Sequence, residues 1–500
     1  MSNSIIIIGA GIAGLASGCY GQMNGYRTQI FEMHSLPGGL CTAWKRQGYT
    51  FDGCIHWLVG SRPGSSFYPV WEELGAARGW QVVDHDEFIR IAGSGGKTLV
   101  LYSNADKLEQ HMVELAPSDA KAIEGLCKAV RRFTAFGEVT GAMFSSSGPL
   151  DGIKAGLKML SLALDMRKYG RMPVQDYASR FRDPFLREAF GSIFNLPDFP
   201  MLGMLTTMAW QHSQDAGYPL GGSLAFAQAI ERRYLDLGGE IHYRSRVEKI
   251  LVENDQAVGV RLADGTEHRA EVIISAADGH ATIFDMLAGK YADERVRGYY
   301  DELPIFRPMI QVSLGIARDL SNEPHMVSFA LEEPIVVGGE VRERLSARHF
   351  CYDPSLAPEG KSVLVSLLEG DYDYWKGLYR DPARYGAEKE EVAESVIVGL
   401  EQRFPGLRQD IEVVDVATPM TYERYTGNWQ GSMEGWLLTT KTMGMMGRGM
   451  PKTLPGLDRF YMAGQWVEPG GGVPTAAMSG RRVIQTICKE DGRRFETQIP

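Results

Sequence analysis

The chain opens on Ile5 to Ile8, an unbroken β-branched run without polar alternation, as expected of a central parallel strand buried on both faces. A glycine-rich turn follows. The spacing of apolar residues then becomes helical past Gly18 to Gly25, and a second strand is predicted from Thr28 to Phe31, ending at Glu32. Leu220-Gly221-Gly222-Ser223 opens a predicted helix through Leu235, followed by a strand over Glu240 to Tyr243 and a hairpin of Val247 to Val252 with Ala257 to Leu262. The run Ile273-Ile274-Ser275-Ala276-Ala277-Asp278 reads as another buried strand and its exit. Residues 105–210 read as mainly helical. Ile310 to Ile316 alternates strictly, as do parts of 361–368, which predicts a half-buried antiparallel sheet. Near the end, Phe460 to Gln465 is a strand with a glycine exit. Gly470-Gly471-Gly472 then precedes a helix with Pro474 in its first turn and Val483, Ile484 and Ile487 on its core face.

At 500 residues the chain exceeds one ordinary core, so two or three domains are expected. A net charge of −10 argues against nucleic acid as the main partner. The six cysteines, Cys19, Cys41, Cys54, Cys127, Cys351 and Cys488, form no C-x-x-C pair, and they read as free thiols of a reducing compartment with no metal site. No export leader and no membrane-spanning run is recognisable, so a cytoplasmic location, with contact at most to a membrane surface, is expected.

The turn after the first strand carries the first candidate chemistry. Gly9 permits the tight turn, Gly11 lets backbone N–H groups approach a pyrophosphate, and Gly14 lets the helix pack on the strand. Ile12 and Ala13 share that turn. Glu32 stands where a carboxylate accepts hydrogen bonds from adenosine ribose, which favours FAD or NAD over NADP and leaves those two open. No second complete G-x-G-x-x-G unit occurs, so a separate NADPH site is not expected.

Pro37-Gly38-Gly39 follows this acid, and Phe460-Tyr461-Met462-Ala463-Gly464-Gln465 leads into Trp466 to Gly480. With these segments the chain resembles the flavoprotein superfamily of amine oxidases and phytoene desaturases along its whole length. The resemblance implies FAD, held by Gly38, Gly39 and Leu40, by the backbone of Val247, by Ala276, and by Gly464, Gln465, Gly472, Val473, Pro474 and Ala476. A helix N-terminus at Pro474 suits the N1/C2 oxygen edge of a reduced flavin. The implied fold is α/β, with a discontinuous Rossmann-like FAD-binding domain from residues 1–60, 216–290 and 416–500. An α+β substrate domain would come from 61–215 and 291–415, with an antiparallel sheet and a helical subdomain. Two positions depart from the pattern: many relatives carry an acid where Gln465 stands, and the oxidase branch has an arginine in place of Leu40.

Gly48 to Trp57, Thr418-Pro419, Arg424 to Asn428 and Gly431 are most similar to phytoene desaturases, carotenoid isomerases and retinol saturases. The likeness implies an FAD-dependent oxidoreductase that desaturates or saturates a carbon–carbon bond of a long apolar isoprenoid or polyene. Hydride moves to or from flavin N5 in such enzymes. His56 and Glu468 are the leading acid/base candidates, since the implied fold brings both loops to the flavin, with Arg424 and Tyr425 behind them. Three rivals are an isomerase working through reduced flavin, an amine oxidase, and a flavin-binding protein without turnover. Residues 151–171 interleave Lys154, Lys158, Arg167, Lys168 and Arg171 with Leu157, Met159, Leu160, Leu162, Leu164 and Met166. That is a basic amphipathic helix, which packs on its own domain or lies on an anionic bilayer. Met201, Met204 and Met208, and the Met-rich stretch from Met443, are read as adaptable core or pocket lining. Oligomeric state is not legible.

Overall fold

The computed structural model describes residues 4–93, 95–142, 162–194, 196, 198–446 and 450–500. Five parallel strands form the first sheet, in the order Glu240–His242, Arg27–Phe31, Ser4–Ile8, Val272–Ser275, Phe460–Met462. Ser4–Ile8 lies at its centre because its side chains can be buried both ways. Ile5 and Ile7 join the core under helix Ile12–Met23, whereas Ile6 and Ile8 pack with Val247, Ile250 and Val260 on the opposite face. That opposite layer is a three-stranded antiparallel sheet of Val247–Glu253, Gln256–Leu262 and Glu267–Arg269, one strand more than the predicted hairpin. Helices Gly222–Asp236 and Val473–Glu490 flank Ile12–Met23. A Cβ added to Gly480 would sit 2.5 Å from the Ala13 carbonyl oxygen, so the first and last helices meet backbone to backbone.

A second sheet of seven strands runs Ile411–Ala417, Met309–Ile316, Ser362–Glu369, Glu340–His349, Met326–Val337, Glu87–Ala92, Thr98–Tyr102. All its pairings are antiparallel except that of Met326–Val337 with Glu87–Ala92. The alternation in Met309–Ile316 predicted one solvated face, and the structure corrects this. Gln311 and Ser313 are as buried as Ile310, Val312 and Leu314. Their polar face packs on the first unit, where Gln311 Nε2 donates to the Asp52 carbonyl at 2.9 Å and the Tyr49 ring covers Gly315.

Helices Ala105–Leu115, Ala120–Ala142, Val174–Ala178, Pro184–Gly191 and Met201–His212 form a separate cluster beside this sheet. Met201, Met204 and Met208 are buried in it, which makes them core. Of the basic amphipathic stretch, Asp151, Lys154, Leu157, Lys158, Met159 and Leu160 lie outside the described residues. Residues 162–170 are helical, with Leu162 and Tyr169 buried, Leu164 exposed, and Asp165 paired with Arg132 at 2.9 Å. Among the described residues no helix is long and apolar enough to cross a membrane. All six cysteines are free thiols.

Candidate active site

One cavity of about 1270 Å³ runs between the two sheets, larger than a pocket for a single ligand of ordinary size. Its inner end is the glycine turn. Gly9, Gly11, Ile12 and Ala13 line it, together with Glu32, Gly38, Gly39, Leu40, Val247 and Ala276. Gly464, Gln465, Gly472, Val473 and Ala476 line it from the C-terminal segment, so three distant stretches of chain converge on one space. Gly38 N–H donates to the Ala10 carbonyl at 2.8 Å, which clamps the double glycine onto the turn.

The geometry fits a dinucleotide. A Cβ at Gly11 would meet no heavy atom within 4 Å, so the space above that residue is open for a ligand. A Cβ at Gly14 would lie 1.9 Å from the Gly9 carbonyl oxygen, so Gly14 serves helix packing and does not line the cavity. Helices Ile12–Met23 and Val473–Glu490 both start at glycines without a side-chain cap, Gly11 and Gly472. Two sets of unspent N–H donors and two positive helix ends therefore open on the same cavity, one suited to a pyrophosphate and one to the electron-rich edge of a flavin ring. Glu32 is buried and its oxygens accept from Ala10 N–H at 2.6 Å and His34 N–H at 2.7 Å. Burial raises this carboxyl and those N–H donors lower it. Pro474 occupies the first turn of its helix but does not reach the cavity wall.

His56 lines the cavity, and a compact buried network sets its backbone. Asp52 accepts from Cys54 N–H at 3.0 Å, Ser223 N–H at 2.6 Å and the Ser223 hydroxyl at 2.5 Å. Ser223 Oγ in turn accepts from Ile55 N–H at 2.7 Å. Burial, helped by the nearby Arg348 guanidinium, holds the His56 imidazole far below its ordinary value, so the ring is neutral at physiological pH. Beyond it, Trp57, Phe88 and Phe194 form an aromatic arm, with ring centroids 5.2 Å apart for the first pair and 6.2 Å for the second.

Glu434, which the sequence reading passed over, lies at the other end of the flavin seat. Its carboxylate packs so closely on the glycine run that a Cβ at Gly471 would come within 2.9 Å of Glu434 Cδ. No ion pair or hydrogen bond engages its carboxyl among the described residues, and burial pushes it up to about 7. Its loop is fixed on both sides. Trp436 Nε1 donates to the Trp466 carbonyl at 3.0 Å, and Trp429 N–H donates to Asp278 at 2.8 Å.

Glu468 is placed elsewhere than expected. Its side chain is 4% exposed and turns from the cavity into ion pairs with Lys452 at 2.7 Å and Arg482 at 3.0 Å. A carboxylate next to a glycine turn can point to either side, and the two cations draw this one away from the flavin seat. Arg424 and Tyr425 are both exposed at the rim, with the guanidinium 5.4 Å from the Tyr425 ring centroid. Tyr425 stands edge-on to His34 at 5.2 Å, which puts the pair by the Glu32 end of the cavity and apart from His56.

The chain matches the family described as flavin containing amine oxidoreductase over residues 12–488. It is 26% identical to a chloroplastic prolycopene isomerase of Arabidopsis thaliana, over 99% of this chain and 84% of the isomerase. To a lycopene-forming phytoene desaturase of Pseudescherichia vulneris it is 25% identical, over 97% of this chain and 99% of the desaturase. A solved oxidoreductase from Methanosarcina mazei shares the fold with a TM-score of 0.62 at 18% identity, over 96% of this chain and 100% of that one. The chain therefore belongs to the flavin-containing amine oxidoreductase family, as an oxidoreductase whose cofactor is FAD.

Proposed function

We propose that the protein desaturates or saturates a carbon–carbon bond of a long apolar substrate of the isoprenoid or polyene type. The observation that carries this reading is the extent of the cavity. It continues past the nucleotide seat into an arm walled by Trp57, Phe88, Ile193, Phe194 and Leu196, where an extended apolar chain loses water along its length. The likeness to a phytoene desaturase supports it.

FAD, when bound, supplies a two-electron acceptor or donor that exchanges hydride with carbon. The residues of this chain do the rest. The turn at Gly9 to Ala13 and Glu32 hold the nucleotide, Gly38 to Leu40 close over it, and the N-terminus at Gly472 to Ala476 faces the ring. His56, neutral, holds or accepts a proton at an imidazole nitrogen on one side. Glu434, a carboxyl that titrates near neutrality, exchanges a proton on the other. The aromatic arm excludes water. The proposed division of labour assigns residues 1–60, 216–290 and 416–500 to the cofactor, and 61–215 with 291–415 to the substrate.

A second reading, isomerisation of a double bond without net electron transfer, is supported by the likeness to a prolycopene isomerase. Anaerobic incubation of the FAD-loaded protein, with the flavin oxidised and in parallel reduced by dithionite, with polyenes, retinoids and unsaturated fatty acids separates the two. Loss of flavin absorbance with a dehydrogenated product supports desaturation, and rearranged product at unchanged flavin absorbance supports isomerisation. An inert flavin and unchanged compounds across the panel, with the flavin oxidised and with it reduced beforehand, defeat both. Adsorption of residues 151–171 to an anionic bilayer is proposed alongside, from the basic and apolar pattern; failure to co-sediment with anionic liposomes ends that idea.

A further inference from the structure

Strand Glu340–His349 lines the cavity with Arg342, Arg344, Ser346 and Arg348, in the two-residue period of a β-strand, and also with the exposed Val341 and Glu343 toward its outer end. The outer two arginines are paired with carboxylates, although each keeps a buried Nε without a partner. Arg342 pairs with Glu340 at 2.5 Å and donates to the Glu369 carbonyl at 2.6 Å. Arg344 reaches Glu188 at 3.3 Å and donates to the Ala92 carbonyl at 3.0 Å.

Arg348, the innermost, is different. It is 6% exposed, and among the described residues no carboxylate lies within 4 Å of it. Among the described residues its guanidinium donates to the His56 carbonyl at 3.4 Å and to the Met326 sulfur at 2.7 Å, and it interacts with the neutral Tyr352 hydroxyl. The Tyr218 phenol and the Asp52 carboxylate act on it through space. Asp52 is already committed to Cys54 and Ser223. A guanidinium removed from water without an anion is among the costliest groups to bury, and a pure hydrocarbon in this cavity would leave it so.

We propose that Arg348 seats the carboxylate of an amphiphilic substrate whose apolar chain lies along Trp57, Phe88 and Phe194. The inference rests on the proposed function and narrows its substrate class. A planar guanidinium fork matches a carboxylate in two parallel hydrogen bonds. On this strand Arg348 is the arginine without a carboxylate among the described residues, since Arg342 and Arg344 pair with Glu340 and Glu188. The FAD pyrophosphate has its own seat at Gly11, on the other sheet.

The test is binding to the FAD-loaded protein, read by perturbation of flavin absorbance, for retinoic acid, its methyl ester and retinol. The acid is expected to bind about tenfold tighter than the ester or the alcohol, the difference a charged hydrogen-bonded pair makes. Arg348→Met is expected to erase the preference while flavin content and ester affinity stay unchanged, and Arg348→Lys is expected to keep part of it. Equal affinities in the unmodified protein overturn the proposal without any variant, as does an acid that fails to bind. Loss of FAD from Arg348→Met would assign the arginine to the cofactor and overturn it as well. A hydrocarbon polyene turned over with no preference for the acid would sink the carboxylate seat and leave the proposed reaction standing. Tight, Arg348-dependent binding of the acid with no conversion of any polyene would do the reverse.

Discussion

The carboxylate of Asp52 accepts a 2.5 Å hydrogen bond from the hydroxyl of Ser223, 171 positions further along the chain. This buried pair ties the segment that carries His56 to the start of helix Gly222–Asp236. Asp52→Ala leaves Ser223 N–H and Cys54 N–H without their acceptor, at a cost of about 3 kcal/mol or more. Denaturant unfolding should show that loss. Asp52→Asn, which keeps an acceptor oxygen, should recover part of the stability and leave a protein whose flavin absorbance reports a displaced His56 loop.

Two glycines of one turn should fail in different ways. Gly11→Ala puts a methyl group into open space above the turn and costs the helix start only about 1 kcal/mol or less. The protein should fold and lose FAD affinity. Gly14→Ala drives a methyl group to 1.9 Å from the Gly9 carbonyl, so the helix itself must move and the folded protein should be lost. Circular dichroism beside flavin content distinguishes these outcomes. A Gly11→Ala protein with full flavin would remove Gly11 from the pyrophosphate seat.

Glu434 has an unfolded-state value near 4.5 and a folded value of about 7, so the native protein binds the extra proton between those limits. Its contribution to stability is fully present below about pH 4.5 and is lost as the pH rises through about 7. Glu434→Gln should flatten that decline in urea titrations. If the carboxyl donates a proton in turnover, the same variant should also remove the inflection near pH 7 from the rate profile. An unchanged inflection assigns it to another group.

Glu468 should matter for folding and not for turnover. Its replacement by Ala leaves a gap and removes the partner of Lys452 and Arg482, whose side chains are 21% and 44% exposed, at a cost of about 1–3 kcal/mol. The unfolding midpoint should drop while the rate per bound flavin stays the same. A large fall in that rate with stability intact would return Glu468 to the acid/base candidates.

What the sequence made legible was whatever short-range pattern controls. Ile5 to Ile8 announced a strand buried on both faces, and the glycines after it announced a phosphate turn, because period and backbone freedom are written locally. Arg348 was only partly legible. Its two-residue spacing from Arg344 through Ser346 is visible in the chain, but its lack of an acid partner depends on strands far away. Glu434 carried no signal, since a polar residue in a loop gains meaning only when Gly471 packs against it. Glu468 misled because adjacency to a glycine run does not fix which side of the turn a carboxylate takes; Lys452 and Arg482 decide that. The alternation of Ile310 to Ile316 misled for a related reason. It records which face is polar, and here the polar face meets Tyr49 and Asp52 instead of water.

The order of strands in the parallel sheet also bears on how the protein is made. Ser4–Ile8 is synthesised first, yet its partner Val272–Ser275 follows hundreds of residues later, and the sheet closes only with Phe460–Met462. The edge of Ile5 to Ile8 that Val272–Ser275 covers thus depends on a contact of high sequence separation, which is slow to form. The cofactor seat is complete only when the last strand and helix have joined the first, because Gly464 to Ala476 supply one of its walls.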